Sequence, residues 1–449
     1  MAKLTEFEQE ITEMIEQKRY KALKETISAI NPYDLATLLA DFEERNIILL
    51  FRLLPKDLAA DTFIEMDKEQ KQALIESFSD AELKEVINEL FIDDMVDTIE
   101  EMPANVVKRI LKNSAENTRK MINQILNYPQ DSAGSIMTTE FVSLRSDMTI
   151  EEAIKRIRQI GLDKETIDTC YVTDKVNRLT GYITLRTIML SEDSSQIGDV
   201  MDKNVISVNT FEDQEETANM FGKYDLTVIP VVDNDNRLVG IVTIDDAWDV
   251  LEKETTEDIE LMAAITPSDT PYLKKTTIDI WKSRMPWLLL LMISATFTGM
   301  IITGFEDSLK SYVVLTAYIP MLMDTGGNSG SQSSVTVIRG LSLHELEFKD
   351  IFRVLWKESK VAILSGITLA VVNFGKLMLF DKVGLSVSLV VSSTLLITVI
   401  IAKMVGSTLP MLAKKIGFDP AVMASPFITT IVDAISLIFY FSITTMILG

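Results

Sequence analysis

Along residues 1 to about 130, apolar positions recur three and four apart, as in LATLLADFEERNIILLFRLL, a spacing that predicts helices throughout. Helix-starting residues return near Asp34, Asn46, Asp57, Glu69, Glu82, Asp94 and Asn105, about every 12 residues. That step suits stacked helical hairpins winding into a small superhelix. Between 136 and 254, β-rich runs alternate with helical ones. This region repeats itself: IMTTEFVSLRSDMTIEEAI (136–154) is echoed by VMDKNVISVNTFEDQEETA (200–218), and YVTDKVNRLTGYITLRTIM (171–189) by VVDNDNRLVGIVTIDDAWD (231–249). Turns of the Asp-Asn-Arg type separate the paired strands. Residues 251–273 begin as an acidic helix and stop at Pro267 and Pro271.

From Pro286 the pattern becomes long apolar runs, read as five spans at about 286–304, 312–338, 358–380, 384–408 and 422–448. The expected fold is mainly α. It comprises an acidic helical N domain (1–130), an α/β repeat pair (131–250, halves at about 136–195 and 199–250), a connecting helix (251–280) and a five-helix transmembrane domain (281–449). Lys/Arg bias in short loops orients the spans. Lys274, Lys275, Lys282 and Arg284 precede span one, Arg339, Lys349, Arg353, Lys357 and Lys360 separate spans two and three, and Lys414 and Lys415 separate spans four and five. All three sets are expected on the cytosolic side of a bacterial inner membrane, which puts the N-terminus in the cytosol and the C-terminus outside.

Charge sharpens the division. From residue 274 onward there are 15 Lys and Arg against 11 Asp and Glu, net +4; the 28 and 55 before it give −27. Such a head repels nucleic acid and attracts cations. Cys170 is the single cysteine, which excludes an internal disulfide and a cysteine-based zinc site. The start, MAKLTEFEQEITEMIEQKRY, lacks the basic-then-apolar pattern of a secretory leader.

Two acids fall inside spans, Asp324 in MLMDTGGNSGSQSS and Asp433 in PFITTIVDAISLIFYF. A carboxylate in hydrocarbon costs at least ~2.5–3.5 kcal/mol, so such residues are expected to face water or a partner. For Asp433, a cation-attracting pore acid competes with a protonated carboxyl bonded between helices. The stretch at 321–334 suits backbone that leaves helical geometry beside a water-filled cavity, with Gly326, Gly327 and Gly330 permitting turns and Asn328, Ser329, Ser331 and Gln332 offering oxygens. A tight helix contact built on small residues is the competing reading. Lys376 and Lys403 are expected near span ends, where long stems snorkel.

The repeated α/β region resembles a tandem pair of CBS domains. Their nucleotide-contacting pattern G-h-h-T-x-x-D is complete in the second half at Gly240, Thr243 and Asp246; the first half has Gly181 and Thr184 but Thr187 in place of the acid. Pro320 with DTGGNSGSQSS, and GFDPAVMASPFITTIVD, resemble the second and fifth spans of the MgtE family of magnesium channels and transporters, and the layout matches over essentially the whole chain. That resemblance implies a homodimer in a lipid bilayer with a Mg²⁺ pore between protomers, Asp433 at the selectivity position and Asn328 lining the path. It also implies regulatory Mg²⁺ at Asp61, Asp93 and Asp97 of the N domain, at Asp213, Glu215, Asp225, Asp246 and Asp249 of the CBS pair, and at Glu254, Glu257 and Asp258 of a plug helix facing Asp419. Asp246 is thus a candidate both for Mg²⁺ and for ATP.

Four readings compete: a Mg²⁺ channel closed by cytosolic Mg²⁺; a coupled carrier or exchanger for Mg²⁺, Mn²⁺ or Co²⁺ regulated by adenine nucleotide; a CBS-regulated anion channel; and a membrane-anchored enzyme or sensor. The embedded charges are mainly acidic, against an anion channel. With one His (His344), one Cys and no Walker-type loop, the sequence offers little catalytic chemistry, and no enzyme is expected.

Overall fold

The computed structural model describes residues 2–268, 270–305, 312–423 and 425–448. It divides into two compact units, Met1–Leu251 and Glu252–Gly449. The expected loop at 306–311 lies outside the described residues.

The first unit opens with helices α1 (Ala2–Glu16), α2 (Tyr20–Ile27), α3 (Pro32–Leu39), α4 (Glu44–Leu53), α5 (Lys56–Ile64), α6 (Lys68–Ser77), α7 (Asp80–Ile87), α8 (Ile92–Glu101), α9 (Ala104–Asn113) and α10 (Glu116–Ile125). From Pro32 to Glu116 each helix begins 12 residues after the last, which keeps the apolar side of successive helices in phase. Each helix packs on the next but one, from α3 on α5 through to α8 on α10, so every helix buries a face that it could not bury alone. Local signals set the starts: the Asn31 side chain accepts from Tyr33 N–H, and Asp67–Gln70 and Ser79–Glu82 form capping boxes.

The repeat pair follows, as β1 (Ser143–Arg145), α11 (Ile150–Ile160), β2 (Thr169–Thr173), β3 (Leu179–Thr184), α12 (Leu185–Leu190), α13 (Ile197–Val200), β4 (Val208–Asn209), α14 (Gln214–Tyr224), β5 (Val228–Val232), β6 (Leu238–Thr243) and α15 (Ile244–Met262). It forms two three-stranded sheets, each with a parallel and an antiparallel pair. The echoed turns fold alike. Asp174 Oδ1 accepts from Val176 and Arg178 N–H, Asp233 Oδ1 from Asp235 and Arg237 N–H, and Asn177 and Asn236 take the left-handed conformation these turns need. The halves then exchange backbone bonds, Leu179 N–H to Asn236 O and Leu238 N–H to Asn177 O, both 3.0 Å. Gly240 has a packing reason: a Cβ there would lie 2.8 Å from the carbonyl oxygen of Thr138, a residue that forms an isolated bridge with Ile241. The second half of the α/β pair shares one apolar core with the superhelix, and the first half closes a core of its own.

In the second unit, four helical stretches among the described residues are long and apolar enough to cross a membrane: Thr277–Gly304, Phe348–Asp381, Leu385–Lys415 and Pro420–Leu448. We label the helices α16 (Thr277–Gly304), α17 (Ile319–Ser342), α18 (Ile351–Lys376), α19 (Leu385–Lys415) and α20 (Ser425–Leu448). The second expected span, α17, misses on composition because its Asp, Asn, Gln, Ser and Gly residues dilute hydropathy. Its 24 residues still reach ~36 Å, enough to cross.

The expectation of irregular backbone at 321–334 fails: Ile319–Ser342 is one continuous helix. Its small residues serve close packing instead. A Cβ on Gly406 of α19 would lie 2.2 Å from Gly330 O, so the two backbones touch where both residues lack side chains. A Gly326 Cβ would meet Thr398 and Val432, and a Gly327 Cβ would meet Thr429, so the same surface also seats α20. Upstream, residues Val313–Tyr318 form a 3₁₀ turn tied down by Tyr440 Oη, which donates to Leu315 O at 2.9 Å.

Candidate cation sites

Asp433 lies on α20 beside the glycine face of α17, and its Oδ1 is buried without a hydrogen-bond partner. The hydroxyls of Ser436 and Thr398, packed around Gly326, are likewise buried and unpartnered. On the outer face of α17, Asp324, Asn328 and Gln332 follow one another at four-residue steps and are all exposed. The chain therefore leaves a polar stripe bare on a helix that packs its small residues inward.

The lysines separate. Lys376 ends α18 and reaches Asp381 at 3.2 Å, which agrees with a span-end position. Lys403 does not snorkel: it is 5 % exposed inside α19, and its Nζ lies 3.4 Å from Ser333 Oγ, which in turn donates to Glu358 Oε2 at 2.6 Å. This neutralising chain spans α19, α17 and α18, and its acid arrives from a helix whose sequence gave no hint of a partner.

In the first unit, the acids gather on the N-terminal turn of α8. Phe91 cannot cap that helix with its side chain, and Glu140 of the repeat region does so instead, its Oε2 accepting from Ile92 N–H at 2.9 Å. Asp93 and Asp94 are thereby held against Asp246 and Glu165. Burial, reinforced by these like charges, raises Asp93 well above the usual carboxylate range and lifts Asp94 and Glu165 to about 7. Asp246 also rises to about 7, chiefly through burial, although Thr243 Oγ1 donates to its Oδ2 at 2.6 Å and opposes the shift. Asp97 is among the charges that press on both Asp94 and Asp246.

Other expected ligands stand elsewhere. Asp61 on α5 feels Asp57, whereas Asp249 of α15 faces Glu65. Asp213 caps the start of α14 by accepting from Glu215 and Glu216 N–H, and Asp225 ends it in the left-handed conformation. The helix between them puts their backbones ~18 Å apart, so no single ion takes both. In the second unit, Asp258 of α15 accepts from Ser342 Oγ at 3.4 Å, and burial with nearby Asp419 and Glu254 raises it to about 6. Glu257 is exposed on the same helix.

Among the described residues, no group of three or more His, Cys, Asp or Glu side chains converges closely enough to hold a metal ion. The α8 cluster is close enough for mutual repulsion without forming a tight cage. Asp94, Glu140, Glu165, Asp245 and Glu65 escaped the sequence reading. Acids in a first helical turn ordinarily answer the helix dipole, and Glu140 and Glu165 lie in loops, where no helical or strand spacing marks them.

An embedded acid, a bare polar stripe on a helix of an apolar bundle and an acidic head together define a membrane protein that handles cations. Comparison with known proteins gives the particular kind. The MgtE divalent cation transporter profile matches residues 319–443, the MgtE intracellular N domain matches 30–131, and CBS domains match 133–192 and 197–247. The chain is 35 % identical over 448 residues to the magnesium transporter MgtE of Thermus thermophilus, covering 98 % of each. It is 32 % identical to the magnesium transporter MgtE of Bacillus subtilis, covering 96 % of this chain and 95 % of that one. A solved cytosolic domain of the Mg²⁺ channel MgtE, in complex with ATP, is 34 % identical with a TM-score of 0.51, covering 54 % of this chain and 98 % of that domain. The chain belongs to the MgtE family of divalent cation transporters, which are not enzymes.

Proposed function

We propose that this protein conducts Mg²⁺ into the cytosol as a homodimeric channel and that cytosolic Mg²⁺, gathered by the acidic head, closes it. The observation that carries the permeation half is Asp433, a carboxylate inside a bundle whose buried oxygen has no protein donor. A hydrated cation supplies what the protein withholds: positive charge and water protons directed at that oxygen. Mg²⁺ sheds its water reluctantly, so carboxylates and amide oxygens that grip its hydration shell suit it better than a bare cage. Asn328, on the uncovered stripe of α17, lines the same path, and a second copy of the chain completes it. The basic short loops put the head in the cytosol and the C-terminus outside.

Closure follows from repulsion. Two carboxylates ~4 Å apart repel by ~1 kcal/mol in water and ~4 kcal/mol at an effective dielectric of 20. A few such pairs match the ~5.5 kcal/mol that turns a 1:99 equilibrium into 99:1. Mg²⁺ among Asp93, Asp94, Asp97, Asp246 and Glu165 cancels that repulsion and favours the compact head. Asp249 with Glu65, and Asp258 with Glu254, Glu257 and Asp419, extend the same effect along α15. Asp61, Asp213, Glu215 and Asp225 serve as separate weak sites at the periphery.

Mg²⁺ flux into proteoliposomes tests the permeation half: Asp433→Ala is expected to abolish it, and normal flux would remove Asp433 from the path. Glu257→Gln with Asp258→Asn is expected to weaken inhibition by Mg²⁺ on the cytosolic side. A second reading, ATP at the CBS pair through Gly240, Thr243 and Asp246, is favoured by the ATP complex of the similar cytosolic domain. Titrating ATP against Mg²⁺ while following inhibition separates the two, and single-channel currents separate a channel from a coupled carrier for Mg²⁺, Mn²⁺ or Co²⁺.

A further inference from the structure

We infer that Asp324 is an outer capture site for the hydrated divalent cation, one helical turn before Asn328 on the same path. This rests on the channel reading above. Two observations and one physical rule carry it. Asp324, Asn328 and Gln332 share one exposed face of α17, at steps of four residues. Asp324 has no hydrogen bond or ion pair among the described residues, although it lies within a helix of the spanning bundle. An unpaired carboxylate on that face does not turn toward hydrocarbon, so the face borders water or a second protomer.

The packing fixes its height. The α17 and α20 helices run antiparallel, since Gly326 meets Val432 and Ser436 while Gly330 meets Ile428. Asp433 is therefore level with the turn between Asp324 and Asn328, and Asp324 stands ~6 Å from Asn328 toward the start of α17. With the head in the cytosol, that direction is outward. An incoming cation meets Asp324 before Asp433. The chemistry differs between the two. Asp324 is exposed and exerts its attraction through water over roughly a Debye length, which concentrates cations at the mouth. Asp433 is half-buried and acts on the hydration shell itself.

Capture and selection therefore separate in kinetics. In proteoliposomes at low ionic strength, Asp324→Asn is expected to raise the half-saturating external Mg²⁺ three- to tenfold while leaving maximal flux within twofold. Asp324→Glu is expected to stay near wild type, and 0.5 M salt to erase the difference. In an Asp324→Cys variant, a negatively charged methanethiosulfonate is expected to restore affinity and a positively charged one to lower it further. An unchanged half-saturation at low salt overturns the proposal. So does a loss of maximal flux in Asp324→Asn with normal half-saturation, because that is how a purely structural residue behaves. The two readings fail separately: if Asp433→Ala conducts normally the channel reading falls, whereas if Asp433→Ala is silent and Asp324→Asn shifts nothing, only the capture site falls.

Discussion

Lys403 shows how one side chain can commit three helices. Its ammonium is buried at 5 % exposure, and Ser333 relays it to the carboxylate of Glu358, so α19, α17 and α18 share a single polar contact. Breaking a fully buried charge pair costs about 3–5 kcal/mol, and this relay, with Glu358 half-buried and joined through Ser333, costs less than that. Lys403→Met and Glu358→Gln are each expected to lower the thermal midpoint of the detergent-solubilised protein, and the double variant is expected to lose less than the sum. Additive losses would show that the two charges do not interact. Gly406 makes a steric demand of the same order. A Cβ there would lie 2.2 Å from Gly330 O, so Gly406→Val is expected to cost on the order of 3 kcal/mol by forcing α17 and α19 apart. A thermal midpoint equal to wild type would contradict that contact.

At the scale of the element, α8 is the instructive helix. Its first turn carries Asp93 and Asp94, which favour the helix dipole, yet its N-cap is Phe91, and the missing acceptor comes from Glu140 across the chain. Glu140→Ala is expected to loosen the acidic cluster by uncapping α8 while leaving Asp93, Asp94, Asp246 and Glu165 in place. Hydrogen exchange of the amides at 92–95 is expected to rise, and the Mg²⁺ concentration giving half-inhibition is expected to increase severalfold. Protected amides in that variant would mean that the cap is dispensable. The same helix explains why the ligand reading from sequence was partial. Asp93 and Asp97 lie four apart and so share a face, a local relation that spacing reveals. Glu165 and Asp246 join them only through folding over long sequence separations, and no local pattern encodes that meeting. Glu65, rather than Asp61, meets Asp249 for the same reason.

The whole molecule ties these charges to pH. Asp94, Glu165 and Asp246 titrate near 7 in the folded head but near 4 in an unfolded chain. Between those values the folded state holds more protons, so compactness is fully supported below about pH 4 and weakens as pH rises through 7. Each unit of upward shift corresponds to about 1.4 kcal/mol before solvent screening. With chelator present, protease resistance of the intact protein is expected to fall from pH 5 to pH 8. Mg²⁺ is expected to flatten that slope by replacing the protons as counter-charge. A slope indifferent to Mg²⁺ would sink the sensing role of this cluster.

Periodicity, repetition and charge asymmetry settled the order of parts from the chain alone, because each is a local property. The 12-residue helical step, the echoed Asp-Asn-Arg turns and the long apolar runs all report what neighbours in sequence do together. The polar stretch of α17 was legible as unusual, but whether its glycines break a helix or let one pack depended on what lies opposite. Gly406 and Val432 answered that, and both sit far along the chain. Lys403 follows the same rule: hydropathy suggests a lysine that escapes to the interface, and only Ser333 and Glu358 make burial affordable. Local physics chose the elements, whereas the meeting of distant charges and bare backbones, which repay their cost only after chain entropy has been lost, was decided by the tertiary structure.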